Sequence, residues 1–127
     1  MIPETVELIG RRNAPFIEEY VFTVDNTPVD FTGCTATMQL RVYANAPDPA
    51  LVTLNAVSSD VEGVWISDPV NGIIQVRIDE ATLFGLPTRV STDARSAFAY
   101  DLRLTWPDGV RDVLMEGAFI VKAGTTR

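Results

Sequence analysis

The chain has 127 residues, 10 basic and 17 acidic side chains, one cysteine and no histidine. At this length a single domain over residues 1–127 is expected, large enough to fold without a metal or a disulfide. The absent imidazole excludes Ser-His-Asp and Cys-His devices and His-ligated metals, and a formal charge of −7 argues against binding a phosphate backbone.

In chain order, Glu4, Glu7, Arg11 and Arg12 interrupt the N-terminus, where a signal peptide needs an apolar run. No stretch reaches the roughly 20 apolar residues of a membrane helix. The expectation is a soluble protein made in a reducing cytoplasm, with no membrane or nucleic-acid partner. Arg11 and Arg12 sit between two strands, as a site for an acidic partner subunit or as a solvated loop.

From Phe16 to Val24 the period is two, with Phe16, Tyr20, Phe22 and Val24 on one side and Glu18 breaking the pattern. Asp25-Asn26-Thr27-Pro28 closes that strand. Cys34 to Tyr43 alternates again, with Cys34, Ala36, Met38, Leu40 and Val42 sharing one face. That is the mark of a half-buried antiparallel strand. As the sole cysteine, Cys34 cannot make an internal disulfide and reads as a small hydrophobe. Tyr43 to Ala50 is a long irregular stretch that cannot continue a central strand through Pro47 and Pro49.

Shorter strands follow at Leu51–Asn55 and Val64–Ser67. The second contains Trp65, a core residue or an interface anchor. Gly72 to Asp79 alternates Ile74, Val76 and Ile78 against Gln75 and Arg77. Asp79 to Gly85 is the one predicted helical turn, with Asp79 able to cap it and Gly85 to end it. Thr88 to Ser96 is a second long irregular stretch, carrying Arg89 and Arg95.

The last hairpin holds a conflict. Trp106-Pro107-Asp108-Gly109-Val110 suits a three-residue loop that pairs Trp106 with Val110 and Leu104 with Asp112. The apolar pattern instead asks for Leu102 opposite Met115 and Phe98 opposite Phe119. A one-residue slip separates the two. A bulge near Glu116-Gly117 would reconcile them. Seven or eight short antiparallel strands with turn signals between them predict an all-β sandwich.

Carboxylates are the catalytic groups that remain. Asp101 can approach Glu116 across the hairpin, as an acid–base pair or as a partner to a nearby Arg. Asp25, Asp30, Asp60, Glu62 and Asp68 sit at loop ends without the spacing of a calcium loop. No catalytic, metal or cofactor residue is therefore assigned. Nine of the ten basic residues are Arg. That bias suits planar pairing with carboxylates at interfaces, or reflects coding composition alone.

The runs Phe22-Thr23-Val24-Asp25-Asn26-Thr27-Pro28 with Val29-Asp30-Phe31-Thr32-Gly33, Met38-Gln39-Leu40-Arg41 and Gly72 to Asp79 resemble a family of tailed-phage and prophage proteins. The segments Tyr100-Asp101-Leu102-Arg103-Leu104-Thr105-Trp106-Pro107-Asp108-Gly109 and Ala123 to Arg127 are similar to it as well. The family includes the N-terminal domain of phage baseplate upper proteins and short tail or head accessory proteins. The resemblance implies an immunoglobulin-like sandwich that docks onto a virion, with tail, neck or capsid subunits or further copies of itself as partners. It implies no catalytic residue or cofactor. The family's distal receptor-binding segments have no counterpart here, so the expectation is a tail, baseplate or collar adaptor. Alternatives are a capsid decoration protein and a carbohydrate- or receptor-binding module using Tyr43, Trp65 or Trp106. The expected place is the virion, assembled in a bacterial cytoplasm. From loop position and residue type, the interface candidates are Arg11, Arg12, Tyr43, Trp65, Arg89, Arg95 and Arg127.

Overall fold

A computed structural model describes residues 3–87 and 95–124. The alternating runs become β3 (Phe16–Val21), β6 (Thr35–Arg41), β7 (Val52–Leu54), β9 (Gly63–Asp68), β10 (Ile73–Ile78), β11 (Arg95–Thr105) and β12 (Arg111–Lys122). A four-residue strand, β2 (Leu8–Arg11), precedes them. Four two-residue strands complete the set: β1 (Glu4–Thr5), β4 (Thr23–Val24), β5 (Thr27–Pro28) and β8 (Ala56–Val57). The expected seven or eight strands match the longer ones; period-two alternation cannot announce a two-residue strand.

One sheet runs β1-β12-β11-β6-β7, with β2 also on β12, and the other runs β3-β10-β9-β8. The chain crosses between these sheets after β2, again after β3 by way of the separate β4–β5 hairpin, and then after β7 and after β10; further hairpins join β6–β7, β9–β10 and β11–β12. This is immunoglobulin-like sandwich connectivity of the variable type, with β6, β11 and β12 in one layer and β3, β10 and β9 in the other. The expected purely antiparallel pairing is corrected at three places. β1 and β2 run parallel to β12, and β8 runs parallel to β9.

The inner faces meet in one core. Met38, Leu40, Leu102, Leu104 and Phe119 from the first sheet pack with Ile74, Val76, Ile78 and Phe16 from the second. Phe16 meets Phe119 edge to face at 5.1 Å, a geometry that places the positive ring edge on a negative face.

Both hairpin registers are realised. Near the turn Leu104 faces Asp112, and the Trp106 N–H donates to the Val110 carbonyl at 2.8 Å. Farther along, Leu102 faces Met115 and Phe98 faces Phe119. The slip lies between Arg103↔Val113 and Leu102↔Met115, so Leu114 is the extra residue. The bulge was expected at Glu116-Gly117 and lies two to three positions earlier. Placing it at Leu114 buries Leu114 and Met115 together, which a bulge at Gly117 would not do. Gly109 takes the left-handed conformation that the loop requires, at φ 90°.

α1 (Glu80–Phe84) connects the two layers between β10 and β11. Its start differs from the expectation. The Asp79 side chain makes no capping bond and instead accepts from Arg77 Nε at 3.0 Å. Glu62, from the β8–β9 connection, supplies the missing acceptor. Its Oε2 takes the Asp79 N–H and the Thr82 hydroxyl, each at 2.7 Å. A carboxylate here satisfies donors left over at a helix start and suits the positive end of the helix.

Candidate functional site

Among the described residues, the interface candidates Tyr43 and Trp65 line separate grooves and Arg11 and Arg12 line neither. Arg11 is exposed at the end of β2. Arg12 turns back onto its own chain. Its Nη1 donates to the carbonyls of Leu83, Phe84 and Leu86 at 3.4, 3.2 and 2.8 Å, and its Nη2 to Pro87 at 3.0 Å. The Leu83 carbonyl also accepts the Leu86 N–H at 3.3 Å; the carbonyls of Phe84, Leu86 and Pro87 lie at the C-terminal end of α1 and just past it, where a cation is favoured. Arg12 therefore ties the N-terminal strand to the connection between the layers.

Trp65 lies opposite Gln75, on the face of β9 away from Val64 and Val76. It is half-buried and stands outside the core cluster, so the core reading of Trp65 gives way to a surface position. Tyr43 is exposed and lines a small groove of about 120 Å³ with Gln39, Arg41, Asp101 and Glu116. Arg95 begins β11 opposite Lys122, its side chain lying outside the described residues. Arg89 and Arg127 lie outside them as well.

The carboxylates have structural partners. Asp60 Oδ1 accepts from Gln75 Nε2 at 2.8 Å and from Arg77 Nη1 at 3.1 Å. Those bonds, Gln75 first, hold the Asp60 carboxyl below its usual range. Asp30 accepts the Thr32 N–H and hydroxyl, which likewise lowers its carboxyl. Asp68 holds Asn71. Among the described residues no group of three or more acidic or cysteine side chains is placed to hold a metal. Asp101 and Glu116 do face each other across the hairpin; both are exposed.

A region that sequence reasoning did not single out is more open. β3 is the edge of its sheet. The Phe22 N–H donates to the Gly72 carbonyl at 2.9 Å, which sets the phase of the ladder to β10. In an antiparallel ladder bonded and non-bonded residues alternate. Glu18 and Tyr20 therefore bond β10, while the amides and carbonyls of Ile17, Glu19 and Val21 point outward. Among the described residues no strand covers that edge.

Beside it lies a groove of about 620 Å³, lined among others by Val6, Tyr20, Phe22, Leu114 and Met115, with exposed Glu4 and Glu19. The Tyr20 hydroxyl is buried with no hydrogen-bond partner, a condition that costs about 1–3 kcal/mol. Burial, then the charge of Glu18, then Tyr100, push its phenol pKa upward. Ile17 is 45% and Val21 62% exposed on the outer face of the same strand. The sequence signal was the polar Glu18 in an otherwise apolar face. It marks a charge at an inward register position of an edge strand, where the side chain stays exposed.

No protein-family model and no curated protein matches this chain. A solved structure of murine CRIg aligns with it at 11% identity and a TM-score of 0.39, covering 97% of this chain and 94% of that one.

Proposed function

We propose that this chain is a non-enzymatic structural component of a bacteriophage virion, a tail, baseplate or collar adaptor that acts through contacts with other subunits. The observation that carries the contact role is the outer edge of β3, with its open main chain, exposed Ile17 and Val21, and adjoining groove. An uncovered edge is a template for pairing with another chain. The particle assignment draws its support from the strand and turn motifs described above. Lack of histidine and the structural engagement of Asp30, Asp60 and Asp68 support a role without catalysis. The partners are then other virion proteins, and a capsid decoration protein is the same reading placed on the head. Mass spectrometry of purified particles tests it: the chain is expected in stoichiometric amounts, and its absence from particles overturns the proposal.

A second reading, a glycan-binding module, has one observation in its favour. Tyr43 stands exposed in the groove that also holds Gln39, Asp101 and Glu116, an aromatic face beside amide and carboxylate groups. A glycan array probed with the wild type and Tyr43→Ala distinguishes it, since only this reading predicts Tyr43-dependent binding.

A further inference from the structure

In constant-type sandwiches the first strand flanks the second at the edge of its sheet. Here β1 and β2 are committed to β12 instead, and the flank of β3 is left uncovered among the described residues. The groove beside that flank is walled by both layers, with Val6, Leu114 and Met115 on one side and Tyr20 and Phe22 on the other. The adjoining segments, residues 3–9 and 16–24, contain Glu4, Glu7, Glu18 and Glu19 and no Lys or Arg. Glu18 shares the inward side of β3 with Phe16 and Tyr20 by alternation. A carboxylate there repels a strand that brings only apolar or acidic side chains.

We infer that the outer edge of β3 receives an extended, basic segment of a partner protein, which adds as a further strand. Its main chain bonds Ile17, Glu19 and Val21. Its apolar side chains enter the groove beside Tyr20 and Phe22, and an arginine or lysine pairs with Glu18. Strand addition of this kind takes affinity from main-chain bonds and specificity from alternate side-chain pockets. A second copy of this chain is the poorer occupant, because it carries −7 and would bring like charge to an acidic edge.

This inference rests on the contact role proposed above, and its test is separate from the particle measurement. The full-length protein is titrated with a synthetic peptide alternating valine and arginine, while amide exchange is followed by NMR. Slowed exchange at Ile17, Glu19 and Val21 is expected. No such effect is expected from a peptide alternating valine and glutamate. Glu18→Lys should weaken the basic peptide about tenfold or more, and Glu18→Gln should weaken it less. Both variants change an exposed side chain and should keep the wild-type Tm. Equal binding of the acidic peptide overturns the inference, as does binding that leaves the three amides unprotected. Protection that arises from raised protein concentration alone would assign the edge to a second copy and overturn it too.

Discussion

The Tyr100 hydroxyl donates to the Val6 carbonyl at 2.7 Å, joining residues 94 positions apart. Tyr100 is buried on β11, and Val6 lies between the two N-terminal strands. With the Val6 N–H on the Glu116 carbonyl at 2.9 Å, the bond fastens the N-terminal segment to β12. The segment held by this long-range bond pairs with β12 and not with β3, whose outer edge stays uncovered among the described residues.

Tyr100→Phe should therefore destabilise the protein by about 1 kcal/mol, the usual net worth of such a bond. Amide exchange should quicken most at Val6 and the neighbouring strand residues. Equal quickening across the core would show that the bond does not hold the N-terminal segment in particular.

Alkaline stability follows from the same residue. Burial, then the charge of Glu116, push the Tyr100 phenol from 10.0 up to about 12. Above pH 10 the unfolded chain ionises this group while the folded chain keeps it protonated. The unfolded state then binds fewer protons, and stability falls as pH rises. The contribution is fully present below pH 10 and is lost as pH climbs toward about 12. Urea midpoints against pH should fall less steeply in this window for Tyr100→Phe than for the wild type.

On the acid side, the Asp60 carboxyl is held low by Gln75 and Arg77. Its contribution is present above the ordinary value of 3.8 and is lost as pH falls through the lowered one. Asp60→Asn should flatten the acid limb of the stability profile and leave the alkaline limb unchanged, as urea melts over a pH series will show.

Gly117 sits against Val6. A Cβ added there would stand 2.7 Å from the Val6 carbonyl oxygen, and φ is 147°. Gly117→Ala should cost about 2 kcal/mol or more, through strain and displacement of the N-terminal segment. Differential scanning calorimetry gives the size of the loss, and exchange at Val6 gives its location.

Arg12→Ala removes the guanidinium donor from the carbonyls of Phe84, Leu86 and Pro87 near the end of α1, while Leu83 keeps the Leu86 N–H. The expected loss is about 1.5–3 kcal/mol, as for bonds to a charged group. Faster exchange at Leu83 and Gly85 should accompany it, since local fraying starts where the capping donor has gone.

Much of the sandwich was legible because one buried face per strand writes a two-residue period into the sequence. The hairpin shows both the reach and the limit of that signal. Its turn chemistry and its apolar pattern each described one end correctly, and the bulge at Leu114 lies where neither rule applies. Trp65 was left between core and interface because its apolar neighbours, Val64 and Ile66, cannot tell which face of β9 lies inward. The parallel pairing of β1 and β2 and the capping of α1 by Glu62 and Arg12 depend on contacts between distant residues. Nothing in their own segments records those partners. Glu18 was visible as a break in the pattern, but its meaning came only when β3 proved to be an edge.

The most direct test of the account is residue-resolved amide exchange along β3 in the free protein. An open edge predicts alternation, with slow exchange at Glu18 and Tyr20 and fast exchange at Ile17, Glu19 and Val21. Uniform protection of all five would mean that β3 is already covered, and would contradict the account.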